Sequence, residues 1–372
     1  MAERPAPIVL VATPGDDDPS FGSYTAVSVA GQRLLAAELS QRLGGLGAAV
    51  APLHPRREQA FHWGAWFVSG ARVSLGAAGA TDAIGYAGAG SLALLSDGHL
   101  DDLLTPLAGE VVANNRFSAD AFVVAGDLEL AMSALQGCAS DNGAARCLEA
   151  AGFRVRDLSA APFSRFDVDT PLDLALLRLA TRLPAARDLQ PGVGLFLEMA
   201  LLPGARPLEV PKLAEIGAVM RDRSAELVVS GRVPADAWQY LERETACRVR
   251  CFIEERGMRS ARGGQPRSVL AALMARSSPA ELVAEVSGLG DAVVLDSRVL
   301  MAAHAGSAEA SAWPPEEERF AADFGDPGPI ETSWLRELVE AAAAAPVPWL
   351  TGGHALMSDG LRLLVDAAWQ GH

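Results

Sequence analysis

The sequence predicts an α/β protein in which a mostly parallel, Rossmann-like β-sheet is followed by a second, smaller α/β domain. Short runs of apolar residues alternate with longer segments of helical character along most of the chain, which is typical of parallel sheets covered by helices. The length of 372 residues suits two domains. We expect the first domain to span residues 1–183 and the second to span residues 184–372.

The first half of the chain contains six apolar segments that we predict to be strands. They lie at residues 7–13, 49–52, 81–87, 110–113, 121–125 and 152–157. Helices are predicted at residues 98–104, 128–135 and 141–151, and in a long segment that ends near residue 45. Because helices separate most of these strands, we expect them to form a mostly parallel sheet.

Composition and charge restrict the class of protein. Half of the residues are hydrophobic, which is enough for buried cores. This apolar content is also compatible with a homodimer. The formal net charge of −15 argues against a general nucleic-acid binder. No apolar run approaches the roughly 20 residues that cross a bilayer. Since the N-terminus also lacks the pattern of a signal peptide, we expect a cytoplasmic protein without a membrane partner.

The cysteines give no sign of a zinc site. None of the four cysteines forms a C-x-x-C pair, and no histidine completes a set of zinc ligands around them. We therefore expect buried free thiols at Cys138, Cys147, Cys247 and Cys251.

The clearest local signal lies at residues 164–179. An extended run leads into a helix, for which Thr170 is the predicted N-cap and Pro171 the first helical residue. In the extended run, Asp167 and Asp169 alternate with apolar residues. Their carboxylates should therefore share one side of a strand.

The motif D-V-D-T-P-L-D-L at residues 167–174 resembles the closing motif of small nucleotidyltransferases. This family includes the molybdenum-cofactor guanylyl- and cytidylyltransferases and 2-phospho-L-lactate guanylyltransferase. The order of predicted strands and helices over residues 5–180 is also similar to that of the family. The resemblance implies a nucleotidyltransferase-like fold for the first domain, with Mg²⁺ as cofactor and Asp167 and Asp169 as its candidate ligands.

The chain differs from the family's pattern at two loops. A Gly-rich loop with a basic residue would follow the first strand, whereas this chain has three aspartates at residues 16–18. A metal-binding Asp would follow the strand that ends at Ala87, whereas residues 88–91 read G-A-G-S. The resemblance also places the start of the first long helix after Gly31. Because one metal ligand is missing, we expect weak or absent Mg²⁺-dependent release of pyrophosphate from nucleoside triphosphates.

Three polar residues follow the predicted strand at residues 110–113. Asn114, Asn115 and Arg116 suit either a tight turn or the recognition of a polar ligand, and the sequence leaves both interpretations open. We include them among the candidate ligand-binding residues.

The second half repeats the alternation of strand and helix and suggests a second ligand-binding edge. Four predicted strands end in the sequences S-G-R, E-E-R-G, D-S-R and T-G-G-H. In a parallel sheet these ends meet at one edge, where guanidinium groups and backbone amides could hold a small anionic ligand. The alternative is that such residues are simply common after strands. The candidate residues are Ser230, Arg232, Arg256, Arg298, Gly352, Gly353 and His354. The acidic segment at residues 314–326 is predicted to be a surface loop or lid.

The leading functional hypothesis is the transfer of a nucleotidyl group from a nucleoside triphosphate to a small phosphorylated or carboxylated acceptor. One alternative is a non-catalytic member of the same fold that binds a nucleotide or metabolite. Another is a cofactor or sugar-phosphate enzyme with its site in the second domain. All three hypotheses predict a small anionic ligand or nucleotide as the binding partner.

Overall fold

The computed structural model describes residues 5–15, 20–54, 61–78, 81–183, 201–202, 206–255 and 265–370. The chain divides into two compact units, each with its own β-sheet. Among the described residues, the first unit contains residues 5–15 and 29–169, and the second contains residues 20–28, 170–183 and those from 201 onward. The predicted α/β class with two α/β parts is confirmed.

The sheet of the first unit has six strands, and all six predicted strands are confirmed. They are β1 (Ile8–Ala12), β2 (Ala49–Leu53), β3 (Ala83–Ala87), β4 (Glu110–Ala113), β5 (Ala121–Ala125) and β6 (Arg154–Asp157). Their order in the sheet is β2-β1-β3-β5-β4-β6. Strand β5 runs antiparallel to both of its neighbours, whereas the other paired strands run parallel.

Helices cover both faces of this sheet, because its central strands carry apolar residues on each side. Ile8 and Leu10 of β1 pack into one hydrophobic core, and Val9 and Val11 pack into the other. The first core contains an aromatic cluster in which Trp63 stacks on Phe67 with ring centroids 5.3 Å apart. The helices are α1 (Ser23–Gly45), α2 (Trp63–Ala78), α3 (Asp97–Leu104), α4 (Leu128–Gln136) and α5 (Ala144–Ala150), with a 3₁₀ turn at Asp141–Gly143.

Helix α1 begins earlier than the family resemblance implies. Its first residue is Ser23, so Gly31 lies inside the helix, and the expected start after Gly31 is wrong. A glycine inside a helix costs only about 1 kcal/mol relative to alanine. The residues on either side of Gly31 can therefore keep the segment helical.

The cysteine prediction is wrong for one pair. Cys138, just after α4, and Cys147 of α5 form a disulfide. Cys247 and Cys251 are free, as expected. The pairing depends on the turn between the two helices, which the spacing of cysteines in the sequence does not reveal.

The second unit contains a parallel four-stranded sheet, as predicted. The strands are β9 (Glu226–Gly231), β10 (Arg248–Ile253), β11 (Ala292–Asp296) and β12 (Trp349–Gly352), in the order β10-β9-β11-β12. A separate antiparallel pair consists of β7 (Leu201–Leu202) and β8 (Arg206–Pro207). No helix in the described part of the chain is long and apolar enough to cross a membrane.

The helices of the second unit include the one predicted from its capping signals. They are α6 (Pro171–Thr181), α7 (Leu213–Arg221), α8 (Ala235–Glu244), α9 (Val269–Met274), α10 (Pro279–Ser287), α11 (Ser297–Ala305), α12 (Glu316–Asp323), α13 (Ser333–Ala344) and α14 (Leu361–Trp369). A π-helical turn at Leu356–Gly360 precedes α14. At the start of α6, the Thr170 hydroxyl accepts from the Asp173 N–H at 3.2 Å. The Thr170 N–H donates to the Asp173 carboxylate at 2.9 Å, which completes a capping box.

The segment predicted to be an acidic loop or lid is instead helix α12. Its glutamates start the helix, where the helix dipole favours negative charge. Its last six residues, 318–323, are all buried, and three of them are charged. The sequence therefore shows no apolar stripe by which this helix could be recognised.

A buried ion pair links α11 to α12. Both terminal nitrogens of Arg298 donate to the two carboxylate oxygens of Asp323, each at 2.6 Å. The Arg298 side chain is 7% exposed and that of Asp323 is fully buried. A buried charge without its partner is costly, so each member of this pair requires the other.

We expect Arg298→Met to destabilise the protein by about 3–5 kcal/mol, because Asp323 would remain buried without its counter-charge. The free energy of unfolding from urea titration measures this effect. Arg243→Met is the matched control, since Arg243 forms an exposed pair with Glu244. Equal stability of the two variants would contradict a structural role for the buried pair.

Candidate functional site

The candidate site lies at the carboxyl edge of the first sheet, where the parallel strands end and the antiparallel strand begins. The parallel strands β1, β3, β4 and β6 end at this edge, whereas the antiparallel strand β5 begins there. Asp120 directly precedes β5, and its carbonyl accepts from the Gly88 N–H at 2.8 Å. Asp120 therefore lies beside the loop that follows β3, where the family pattern would place its missing carboxylate.

Asp120 is partly buried and lies near other carboxylates. Its Oδ2 accepts from Asn114 Nδ2 at 3.3 Å. Desolvation raises the pKa of Asp120 to about 7, and the charges of Asp141 and Asp169 act in the same direction. The hydrogen bond from Asn114 opposes this rise.

Tyr86 connects two more carboxylates to the same region. The hydroxyl of Tyr86 donates to Asp141 Oδ2 at 3.4 Å. Burial raises the pKa of Tyr86, and the charges of Asp141 and Asp167 raise it further. Asp120, Asp141, Asp167 and Asp169 thus form one group of carboxylates, here called the acidic edge.

The two predicted metal ligands lie at the acidic edge, but not on a strand. Residues 166–169 pair with no strand of the sheet, so the predicted strand at this position is wrong. The predicted alternation is nevertheless present: Phe166 and Val168 are buried, Asp167 is half-buried and Asp169 is exposed. Both carboxylates therefore lie away from the core.

Two hydrogen bonds hold this segment in place. The Val168 N–H donates to the Gly90 carbonyl at 3.1 Å, and the Val168 carbonyl accepts from Gln32 Nε2 at 3.1 Å. A Cβ added to Gly90 would lie 2.2 Å from the Val168 carbonyl oxygen. Only glycine permits this close approach, which explains one glycine of the G-A-G-S loop.

The three polar residues after β4 serve the local structure. Asn114 is buried and also donates to the Ser164 carbonyl at 3.0 Å, while its own Oδ1 accepts from the Ala121 N–H at 3.0 Å. Asn115 accepts from the Phe117 N–H at 3.1 Å, which forms a turn. The Arg116 guanidinium pairs with Glu149. Asn114 thus positions Asp120, and ligand contact by any of the three stays a prediction.

The loop after β1, where the resemblance implies phosphate binding, is described as far as Gly15. Its three aspartates lie outside the described residues. Arg33 of α1 reaches this loop, and its Nε donates to the Gly15 carbonyl at 2.8 Å. A guanidinium group therefore lies beside the loop that follows β1.

The acidic edge does not form a complete metal cage. Within the described residues, no group of three or more His, Cys, Asp or Glu side chains could hold a metal ion. Mg²⁺, however, commonly takes only one or two protein carboxylates and completes its shell with water and substrate phosphates. The charges of Asp120 and Asp169 act on each other, and Mg²⁺ binding by Asp167 and Asp169 stays a prediction.

The predicted ligand residues of the second unit lie near one another at the carboxyl edge of its sheet. Arg232 follows β9, Arg298 follows β11, and His354 follows β12. The register aligns these strand ends, pairing Leu295 with Ser230 and Asp296 with Gly352. Arg256 lies outside the described residues.

Internal contacts occupy most of these groups. Arg232 donates to both oxygens of Asp296, at 2.6 and 3.1 Å. Burial alone would raise the pKa of Asp296, but Arg232, together with His354 and Arg298, lowers it below its ordinary value. Their positive charges are thus balanced by carboxylates, and binding of an anionic ligand there stays a prediction.

The remaining candidates at this edge also make internal contacts. The Ser230 hydroxyl donates to the Phe252 carbonyl at 3.4 Å, and the Gly352 carbonyl accepts from the Ser297 hydroxyl at 3.4 Å. Gly353 lies against the Arg298 side chain.

In each unit, the most informative carboxylate is not among the residues predicted from the sequence. Asp120 was overlooked because it precedes a strand, and only the reversal of β5 brings it to the edge where its neighbours end. Asp296 follows β11 and was not among the predicted ligand residues, although it is the partner of Arg232. An Asp directly before a buried apolar run is visible in the sequence, but the direction of β5, which decides the edge at which Asp120 lies, is not.

No family model matches the chain, and no curated protein or solved structure matches it significantly. The fold class does not determine the function, because one α/β architecture carries many activities. Any functional assignment must therefore rest on the residues of the site.

We expect Gly90→Ala to destabilise the protein by about 1–3 kcal/mol, because the new methyl group would displace the backbone of Val168. Thermal unfolding measures the loss. Gly98→Ala in α3 is the control, since its Cβ would meet only the Ser96 hydroxyl at 3.8 Å. If Gly90→Ala were as stable as this control, the contact between the loop and residues 166–169 would not exist.

We expect the stability difference between the wild type and Asp120→Asn to depend on pH. The folded-state pKa of Asp120 is about 7, above the ordinary 3.8. The contribution of Asp120 is therefore complete below the ordinary pKa and is lost as pH rises through 7. Relative to Asp120→Asn, the wild type should lose at most about 4 kcal/mol of unfolding free energy over this range.

Urea unfolding at a series of pH values measures this difference. Asp101→Asn, which changes an exposed carboxylate, should give a curve parallel to the wild type. A parallel curve for Asp120→Asn as well would show that Asp120 titrates normally in the folded protein.

Proposed function

We propose that the first unit binds a nucleoside triphosphate with Mg²⁺ at the acidic edge and transfers its nucleotidyl group to a small phosphorylated or carboxylated acceptor. The observation that carries this proposal is the position of Asp120 beside Gly88. Asp120 supplies a carboxylate next to the loop that lacks one in the sequence. The loop sequence alone, which lacks a carboxylate, predicts instead that pyrophosphate release is weak or absent.

Two groups of side chains support the proposal. Asp120 and Asp169 would hold the cation, and their proximity makes a positive charge favourable between them. Arg33 lies beside the loop after β1, where its positive charge would favour the triphosphate.

Each residue of the site has a definite task in this scheme. Bound Mg²⁺ would offset the charge that develops on the reacting phosphate. Asn114 holds the Asp120 carboxylate in position, and Gln32 and Gly90 fix the segment that carries Asp169. Since nucleotidyl transfer depends mostly on positioning and electrostatic stabilisation, such rigid support is the protein's main contribution.

The second candidate function is binding without catalysis. It is favoured by the lack of a three-ligand metal group in the described part of the chain. In that case the acidic edge would bind a cation or nucleotide weakly, and no pyrophosphate would be released.

We expect the wild-type protein to release pyrophosphate from at least one nucleoside triphosphate in a Mg²⁺- or Mn²⁺-dependent reaction. Asp120→Asn and Asp169→Asn should each lower the rate by about 10²–10³, because each removes a ligand of the cation. A coupled pyrophosphate assay with a panel of phosphorylated and carboxylated acceptors measures the rate.

Asp101→Asn is the matched control and should retain the wild-type rate. Nucleotide binding without turnover, unchanged in both site variants, would contradict the enzyme proposal and support the non-catalytic alternative.

A further inference from the structure

The second unit contains a cavity that the proposed function does not use. Its volume is about 520 Å³, which is within the range of small-molecule sites. It is bounded by the end of α6, by residues 208–212, by the first turns of α7 and by the end of α14. All of these elements belong to the second unit.

The charge of this cavity is opposite to that of the whole chain. Its lining contains Arg178, Arg182, Lys212 and Arg221, but only two carboxylates, Glu209 and Glu215. The formal charge of the lining is therefore +2, in a protein whose net charge is −15. Lys212 is the only lysine of the chain.

Backbone carbonyls, not carboxylates, hold two of the cavity's guanidinium groups in place. Arg178 Nη1 donates to the Leu208 carbonyl at 3.1 Å, and Arg221 Nη1 donates to the Ala368 carbonyl. Among the described residues, no carboxylate forms an ion pair with Arg178, Arg182 or Arg221, whereas Lys212 pairs with Glu215 at 3.5 Å. This differs from Arg232 and Arg298 at the sheet edge, whose charges are balanced by aspartates.

The start of α7 adds to the positive potential. Lys212 is its N-cap residue, and no side chain caps this helix terminus. The next three residues, 213–215, line the cavity. The first N–H groups of a helix have no partner within the helix and favour an anion.

The remaining wall is apolar and includes Leu179, Leu208, Val210 and Ala367. A ligand that fits this cavity therefore combines an anionic group with an apolar body. The lining charge of +2 matches a phosphate monoester, which is close to a dianion at neutral pH.

We propose that this cavity binds a small phosphate monoester, with Arg178 and Arg221 as its principal partners and Arg182 and Lys212 at its rim. The lining of this cavity shares no residue with the acidic edge, and we infer a ligand other than the proposed nucleotide. Phosphate groups suit it because guanidinium groups donate to phosphate oxygens in a bidentate manner.

Calorimetric titration of the full-length protein with phenyl phosphate tests the proposal. Phenyl phosphate carries a dianionic group on an apolar ring, and benzoate is a monoanion of similar size. We expect saturable binding of phenyl phosphate and at least about tenfold weaker binding of benzoate, because one negative charge is lost.

Substitutions of the basic lining residues test whether phenyl phosphate binds in this cavity. Arg178→Gln and Arg221→Gln should each weaken phenyl phosphate binding by about tenfold or more. Arg182→Gln combined with Lys212→Gln is a second test, because both side chains are exposed and their loss leaves the fold intact. Arg223→Gln, an exposed arginine of the same unit outside the lining, should bind like the wild type.

Phenyl phosphate binding and pyrophosphate release are measured independently, so either proposal can fail without the other. Asp120→Asn should leave phenyl phosphate binding unchanged, whether or not the protein releases pyrophosphate. An absence of saturable binding up to about 10 mM would overturn the proposal, since a site of this charge should bind more tightly. So would binding that persists unchanged in all of the cavity variants, because the ligand would then bind elsewhere.

Discussion

The reversed direction of β5 determines which side chains meet at the acidic edge of the first unit. In a purely parallel sheet only residues that follow strands would reach the carboxyl edge. Because β5 runs antiparallel between β3 and β4, the residue that precedes it reaches the same edge. Asp120 therefore lies beside Gly88 and near Asp169, and the acidic edge depends on this single reversal.

The two units use charged residues in different ways. At the edge of the second sheet, buried arginines pair with aspartates, which satisfies charges that would otherwise be costly inside the protein. At the acidic edge of the first unit, burial raises the pKa of Asp120, and the charges of neighbouring carboxylates raise it further. The cavity beside α6 and α7 has the opposite character, with cations held by backbone carbonyls. These different surroundings are the reason why we propose ligand binding at the acidic edge and at the cavity, and a structural role for the charges at the edge of the second sheet.

Local signals in the sequence were sufficient for most of the fold. The capping residues Thr170 and Pro171 act within one turn, so their helix was predicted correctly. The strands were also recognisable, because each is a short apolar run. Strand direction depends on pairing between distant segments, and so the position of Asp120 could not be read from the sequence. Helix α12 is hard to recognise in the sequence because four of its eight residues are acidic and some of these, such as Glu318 and Asp323, are buried.

The central claim is that Asp120 and Asp169 together form a cation site at the acidic edge. Calorimetric titration of Mn²⁺ in the presence of a non-hydrolysable nucleoside triphosphate tests it most directly, because it requires no turnover. The account predicts one saturable Mn²⁺ site in the wild type that is lost or strongly weakened in both Asp120→Asn and Asp169→Asn. Mn²⁺ binding of wild-type affinity in the two variants would contradict it.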